Sequence, residues 1–239
     1  MLEINKVHLG DSYKLIKEID DNSVDLIVTD PPYDIKNTKA GGKSDFAKSI
    51  QNMNNELESN NLTNSIEIKI LDEFRRVMKK INIYLWCNKA QIRMYLNYFS
   101  DCSFDIIVWR KTNAPPTYHN KYLSDKEYCL YFRKGGYCCP NCYEDAKTIY
   151  EQPINILDKN KFEHPTIKPL NIIETIIKNS SKVGDLVLDP FIDSGTTGIA
   201  CENTKRNYIG IEIEPKWYNV ATYRLTGLQA NGQASFILN

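Results

Sequence analysis

The stretch VDLIVTDPPY, residues 24–33, decides the fold class of this chain together with the stretch LVLDPFIDSGTT, residues 186–197. In each of them a nearly continuous apolar run ends at an Asp-Pro step. Apolar runs of this kind are typical of parallel strands that are buried on both faces. Because proline cannot donate the next hydrogen bond of a ladder, both strands must end there. Ligands of open α/β sheets bind at such carboxyl ends of strands.

Outside these two stretches, short β-branched runs alternate with segments of helical periodicity, which indicates a largely parallel α/β sheet. We predict strands at residues 4–9, 24–29, 81–86, 104–109, 127–133, 185–188 and 207–213. We predict helices at residues 12–19, 65–80, 89–99, 170–179, 195–204 and 215–228. Residues 135–163 show no clear periodicity. No linker divides the chain, so we expect a single domain of residues 1–239.

The composition indicates a neutral globular protein. The 239 residues include 30 Lys and Arg and 30 Asp and Glu, so the formal net charge at pH 7 is +0. This balance excludes an overall basic coat for nucleic acid and an acidic tail, but it allows a local basic surface. The chain lacks both an apolar run of about 20 residues and the pattern of a signal peptide. Because there is no secretion signal, we expect the seven cysteines, an odd number, to be reduced thiols. We also expect a cytoplasmic location and no membrane partner.

The sequence Asp30-Pro31-Pro32-Tyr33 has the chemistry to hold a planar amine. The Asp30 carboxylate and the Pro31 carbonyl are two acceptors, Pro32 restricts the backbone, and the Tyr33 ring offers a face for stacking a base. Hydrogen bonds from both N–H groups favour localising the amine lone pair, so that it can attack an electrophilic methyl group. A tight turn after a strand is the alternative interpretation.

The second strand end continues into a turn rich in Gly and Thr and then into a helix. Turns of this kind place backbone N–H groups near a ligand, although Ser194 or Thr196 could equally be a helix N-cap. Glu212 ends the next apolar strand. It follows Asp189 at close to the roughly 20-residue spacing at which an acid binds ribose hydroxyls in dinucleotide-binding units.

Taken in order, the motifs resemble those of the S-adenosylmethionine-dependent amino methyltransferases of DNA, which methylate adenine N6 or cytosine N4. The matching motifs are Gly10-Asp11, SVDLI and DPPY at residues 23–27 and 30–33, HPTIKP at 164–169, LDPF through TT at 188–197, and IGIE at 209–212. The catalytic motif precedes the cofactor motif, as in the permuted beta class. The resemblance covers about residues 4–33 and 104–228. It implies a Rossmann-like α/β fold with circularly permuted motif order, a seven-stranded, mostly parallel sheet with one antiparallel strand, and helices on both faces.

The resemblance implies a role for each residue that matches a motif. The residues that would hold the target base are Asp30, Pro31, Pro32 and Tyr33. The cofactor would be S-adenosyl-L-methionine, with its adenine near Asp11 and its ribose on Glu212. Its methionine part would lie against Asp189, Phe191, Asp193, Ser194, Gly195, Thr196 and Thr197, covered by His164, Thr166, Lys168 and Pro169. For Lys168, a solvated position at a helix N-terminus is the alternative.

One position departs from the family pattern, which usually has glycine where this chain has Asp193. Glycine serves there for a positive φ or a close approach of backbone and ligand. Aspartate tolerates the left-handed conformation better than most residues, so the turn is expected to survive. Its carboxylate would repel the carboxylate of the cofactor and attract the ammonium and sulfonium groups. We therefore expect Asp193 to alter cofactor affinity without abolishing it.

Residues 110–134 are the expected DNA surface, since they carry six Lys and Arg against two acids, interleaved with tyrosines. An amine hidden in the base stack must be flipped out before it can react. The predicted DNA-binding residues are Arg110, Lys111, Asn113, Tyr118, Lys121 and Tyr122, with a solvated hairpin as the alternative. We assign target recognition to a small insertion at residues 112–160. Residues 34–64 are expected to be a mobile loop that closes over DNA.

The sequence Cys138-Cys139-Pro140-Asn141-Cys142 contains one C-x-x-C pair, whereas structural zinc sites usually have two. We therefore predict no metal site, with zinc completed by His119, Cys102 or Cys129 as the alternative.

The sequence predicts a site-specific DNA methyltransferase that acts on adenine N6 in duplex DNA. The alternatives are an N4-cytosine enzyme, a catalytically impaired DNA-binding relative, and a methyltransferase for RNA or a small molecule. A homodimer and a cognate restriction enzyme stay open as further partners.

Overall fold

The computed structural model describes residues 1–33, 66–116, 122–154, 156, 162 and 167–228. In these ranges eight strands form one sheet in the order β1-β8-β7-β2-β3-β5-β4-β6. The strands are β1 Lys6–Leu9, β2 Leu26–Thr29, β3 Ile81–Cys87, β4 Ser103–Lys111, β5 Lys126–Lys134, β6 Ile149–Gln152, β7 Leu186–Asp189 and β8 Asn207–Glu212. The expected loop at residues 34–64 lies outside the described residues.

Strand β5 is antiparallel to both of its neighbours, β3 and β4, and every other pair is parallel. The expected mostly parallel sheet with one antiparallel strand is therefore confirmed. The sheet has one strand more than the seven expected, because Ile149–Gln152 pairs in parallel with β4 at the edge. This strand has only four residues and alternates between exposed and half-buried positions, so its sequence carries little strand signal.

Helices cover both faces of the sheet, as expected. They are α1 Ser12–Leu15, continued by a 3-10 turn Ile16–Glu18, then α2 Lys69–Val77, α3 Lys89–Tyr98, α4 Leu170–Ser180, α5 Thr196–Thr204 and α6 Pro215–Thr226. One apolar core packs α1, α2 and α3 against one face, through residues such as Phe74 and Tyr95. The other core packs α4, α5 and α6 against the opposite face, through residues such as Ile176 and Ala221.

The sheet order creates a crevice between β2 and β7, which are parallel neighbours. The chain leaves β2 toward β3 on one side, while it leaves β7 toward β8 on the other. Such a topological switch point is where open α/β sheets bind ligands. The two strand ends selected from the sequence therefore lie side by side at this crevice.

Of the predicted target-recognition insertion, residues 112–160, a part belongs to the main sheet. The structure places β5 and β6 within that range and in the same sheet as the other six strands. The insertion is therefore not separate from the main sheet, and its role in target recognition stays a prediction.

Candidate active site

Asp189 joins the two strand ends at the crevice. Its Oδ1 accepts hydrogen bonds from Thr29 Oγ1 at 2.7 Å and from the Phe191 backbone N–H at 3.1 Å. Its Oδ2 accepts a hydrogen bond from Thr197 Oγ1 at 2.6 Å. Burial raises the pKa of Asp189 to about 7, although all three donors lower it. The carboxylate thus ties the residue that precedes Asp30 to the turn that follows β7.

Asp30 comes directly after β2, and its two carboxylate oxygens have different surroundings. Oδ2 forms an ion pair and a hydrogen bond with Lys168 Nζ. Oδ1 is buried and accepts no hydrogen bond within the described part of the chain. Since a buried acceptor without a donor is costly, Oδ1 is the atom that a substrate donor would satisfy.

Lys168 lies at the centre of a buried row of alternating charges. Only 7% of the residue is exposed, and its Nζ is 3.2 Å from Glu127 Oε2 as well as bonded to Asp30. Glu127 Oε1 is in turn 2.6 Å from Lys111 Nζ. Burial lowers the pKa of Lys168, but the two carboxylates outweigh it and hold that pKa above its ordinary value. The solvated position considered for Lys168 is therefore wrong.

Aromatic side chains surround this row of charges. Lys168 Nζ lies 5.8 Å from the centroid of the Tyr33 ring and 5.4 Å from that of Trp86. Burial, followed by the Asp30 charge, raises the pKa of Tyr33 well above its ordinary value. Gln91 is the third residue of α3 and donates from Nε2 to the Pro32 carbonyl at 2.9 Å. The backbone of the Asp-Pro-Pro-Tyr segment is thus held from α3.

The turn after β7 has the left-handed geometry that its residues permit. Asp193 has φ of +53° and Gly195 has φ of +84°, so the expected survival of the turn with aspartate is confirmed. The Asp193 backbone N–H donates to Glu212 Oε2 at 3.0 Å, and the Glu214 N–H donates to Glu212 Oε1 at 2.7 Å. Burial, followed by the charge of Asp193, raises the pKa of Glu212 to about 8, although hydrogen bonds from backbone N–H groups lower it.

One cleft joins both strand ends. Its lining includes Asp30, Trp86, Lys168, Asp189, Phe191, Asp193, Ser194, Thr196 and Thr197. A second cleft lies at the end of β1 and includes Asp11, Tyr13 and Lys69. Asp11 also caps α1 by accepting a hydrogen bond from the Tyr13 N–H at 2.9 Å. Because β1 and β8 are neighbours, Asp11 lies one strand end away from Glu212.

The remaining predicted residues have varied surroundings. Arg110 is half-exposed and forms an ion pair with Glu151, and 98% of Tyr122 is exposed. Asn113 Oδ1 accepts a hydrogen bond from the Ile154 N–H at 2.7 Å. Lys111 faces Glu127 rather than solvent, unlike a phosphate-binding lysine. Pro169 precedes the first residue of α4, whereas Tyr118, Lys121, His164 and Thr166 lie outside the described residues.

Sequence reasoning missed Glu127 and Gln91, which belong to no motif. Glu127 was counted only as an acid within a basic segment. A local signal existed for Gln91, since Asn88 and Gln91 have the spacing of a capping box. No such signal marks Glu127, because its contact with Lys168 depends on the pairing of β5 with β3.

The cysteines of the C-x-x-C sequence are free thiols, half-buried at Cys138 and exposed at Cys139 and Cys142. Among the described residues, His, Cys, Asp and Glu side chains form no group of three or more that could hold a metal ion. In the same ranges, every helix is too short or too polar to cross a lipid bilayer.

Comparisons with known proteins agree on one family. Residues 24–223 match the family model of the N6/N4 methyltransferases, described as DNA methylase. The chain is 30% identical to the Type II methyltransferase M2.LlaDCHI of Lactococcus lactis subsp. cremoris, over 90% of this chain and 87% of the relative. It is 29% identical to the Type II methyltransferase M2.MboI of Moraxella bovis, over 91% and 86%.

Solved structures show the same likeness. The M1.HpyAVI–SAM complex is 26% identical, with a TM-score of 0.66 over 92% of this chain and 98% of that chain. The PvuII DNA methyltransferase (cytosine-N4-specific) is 16% identical, with a TM-score of 0.69 over 92% and 85%, which shows a shared fold. With strand ends, crevice and family model in agreement, the chain belongs to the N6/N4 DNA methylases, the S-adenosylmethionine-dependent enzymes that methylate amino groups of DNA bases.

Proposed function

We propose that this chain methylates the exocyclic N6 amine of adenine in a specific sequence of duplex DNA. The observation that carries the proposal is the buried Oδ1 of Asp30, which has no donor in the described part of the chain. One N–H of the amine donates to this oxygen and the other donates to the Pro31 carbonyl. The Tyr33 ring stacks on the base. The aspartate at the first position of the motif is what favours adenine over cytosine.

The order of the strand ends supports a site for S-adenosyl-L-methionine. Along β1, β8, β7 and β2 they carry, in turn, Asp11, Glu212, the turn at residues 193–197 and Asp30. This spatial order matches the chemical order of adenine, ribose, methionine and methyl acceptor. The residues present therefore fit the cofactor. When bound, it supplies the electrophilic methyl group.

The chain's own groups prepare the amine for attack. Lys168 holds Oδ2 of Asp30, so the carboxylate can rotate little and Oδ1 stays directed at the amine. As the nitrogen forms its bond to the methyl carbon, the carbon–sulfur bond breaks and the nitrogen becomes positively charged. It then loses one proton, for which Oδ1 is the nearest proposed acceptor. No metal ion is needed for this stabilisation by fixed polar groups.

Duplex DNA is the proposed partner, and its base reaches Asp30 by flipping out of the stack. Arg110 is the last residue but one of β4, Asn113 follows the end of that strand, and Tyr122 precedes the start of β5. Strand β5 is antiparallel to both β3 and β4, and β3 is parallel to β2, so β4 runs in the same direction as β2. The end of β4 and the start of β5 therefore lie at the same edge of the sheet as Asp30. This location supports a contact of the three residues with the DNA strand that carries the target base. DNA as the substrate supports a cytoplasmic location, which stays a prediction, as do a homodimer and a cognate restriction enzyme.

The test is methyl transfer from S-adenosyl-L-methionine to mixed-sequence duplex DNA, followed by mass spectrometry of the nucleosides. We expect N6-methyldeoxyadenosine, and we expect Asp30→Ala to abolish it while cofactor binding, measured by calorimetry, is retained. N4-methyldeoxycytidine would overturn the choice of base. Cofactor binding without any methylated DNA would favour the impaired relative or another acceptor. A near-normal rate in Asp30→Ala would refute the role of that carboxylate.

A further inference from the structure

Arg224 lies on α6, outside every motif that resembles the family, yet it contacts the turn after β7. Its Nη1 donates to the Ser194 carbonyl at 2.6 Å, to Ser194 Oγ at 3.1 Å and to Thr196 Oγ1 at 3.2 Å. The guanidinium carbon lies 5.0 Å from the centroid of the Phe162 ring. The guanidinium therefore supports the wall of the cleft from the side of α6.

These contacts decide which way two hydroxyl groups point. A guanidinium can only donate hydrogen bonds, so both hydroxyl oxygens act as acceptors toward Arg224. Each hydroxyl still has one hydrogen, and within the described ranges neither of these hydrogens is donated to a protein acceptor. Ser194 is 3% exposed and Thr196 is 6% exposed, and both line the cleft. Their hydrogens are thus available to a ligand in the cleft.

The neighbouring hydroxyl of Thr197 shows the contrast. It donates to Asp189 Oδ2 at 2.6 Å, so its hydrogen is already used within the protein. The turn therefore contains one hydroxyl, that of Thr197, which donates within the protein. The other two, those of Ser194 and Thr196, can donate to a ligand. A ligand group that matches two hydroxyl donors backed by a positive charge is an acceptor with negative charge, such as a carboxylate.

We propose that Arg224 is a positioning residue for the carboxylate of the cofactor's methionine part. It directs the hydroxyl hydrogens of Ser194 and Thr196 into the cleft, and its charge offsets the repulsion that Asp193 exerts on that carboxylate. The inference rests on the proposed cofactor site. It adds a residue that explains how a turn with aspartate in place of glycine still accepts an anionic group.

The test compares two ligands that differ only in the carboxylate. Dissociation constants of S-adenosyl-L-methionine and decarboxylated S-adenosylmethionine are measured by calorimetry for the wild type, Arg224→Met and Arg224→Lys. We expect Arg224→Met to bind S-adenosyl-L-methionine about tenfold more weakly or worse, as for a lost hydrogen bond to a charged group. Its affinity for the decarboxylated ligand should stay close to that of the wild type. Arg224→Lys keeps the charge and should be intermediate.

A purely structural role would lower the affinity for both ligands equally, and that result would overturn the proposal, as would unchanged affinity for both. Arg93→Met, an exposed residue on α3, controls for the loss of one positive charge and should bind both ligands as the wild type does. In a Thr196→Val background, Arg224→Met should cost less than in the wild type. A wild type that binds neither ligand would contradict the cofactor site itself, which separates that failure from failure of this inference.

Discussion

Two substitutions in the buried row of charges around Lys168 should shift the pKa of Asp30 in opposite directions. Burial raises the pKa of Asp30, and the Lys168 ammonium lowers it, while the Glu127 carboxylate raises it. Lys168→Met removes the counter-ion, so Asp30 stays protonated up to a higher pH. Glu127→Gln removes a like charge and leaves the ion pair between Lys168 and Asp30 in place. The pKa of Asp30 should therefore rise in the first variant and fall in the second.

The size of the effect follows from the contact between Lys168 and Asp30. An opposite charge this close lowers the pKa of a carboxyl group by about 1–3 units. If only ionised Asp30 is active, the acidic limb of the pH–rate profile moves up by the same amount in Lys168→Met. At a pH below the Asp30 pKa of both the wild type and Lys168→Met, the variant is about 10- to 1000-fold slower. The reason is that each pKa unit changes the ionised fraction of Asp30 by a factor of ten. Raising the pH should restore part of the lost rate.

The assay is the single-turnover rate of methyl transfer across the pH range, since product release does not limit a single turnover. Breaking a buried ion pair costs about 3–5 kcal/mol of unfolding free energy. Chemical denaturation and calorimetry of cofactor binding must therefore show that Lys168→Met is still folded. An unchanged acidic limb in that variant would refute the role of Lys168. If the acidic limb moved in the same direction in both variants, Glu127 would not raise the pKa of Asp30 as proposed.

Two further predictions concern the turn after β7. Replacing Asp193 by glycine removes a negative charge that raises the pKa of Glu212, which is about 8 in the wild type. Glu212 should then stay ionised to a lower pH, so cofactor affinity should change and its pH dependence should shift to lower pH. Cofactor titrations that give equal affinities for both proteins from acid to alkaline pH would contradict this. Gly195→Ala places a methyl group 3.0 Å from a backbone atom of α6 at φ of +84°, whereas Gly184→Ala meets open space at φ of +83°. Both substitutions cost about 1 kcal/mol for the left-handed conformation. Only Gly195→Ala adds a close contact, so thermal unfolding should show a larger loss of stability for that variant. Equal losses of stability would mean that the packing around residue 195 relaxes.

The sequence predicted most of the fold because its signals are local. The buried runs that became β2 and β7 end at prolines, and the apolar spacing of α4 places Ile173, Ile176 and Ile177 in the core. Strand β6 was missed because its ladder comes from β4, about forty residues earlier in the chain. A short edge strand with alternating exposure is stabilised by its partner more than by its own residues.

The candidate site divides in the same way. The sequence by itself determined the motifs, their order and the chemical classes of Asp30, Glu212 and the turn at residues 193–197, because each depends on a few consecutive residues. Only the tertiary structure decided that Lys168 pairs with Asp30 across 138 positions of the chain, and that Glu127 and Arg224 reach the cleft. Ion pairs and hydrogen bonds between distant residues depend on sheet order and helix packing. These are set by the burial of the whole core and not by any local pattern.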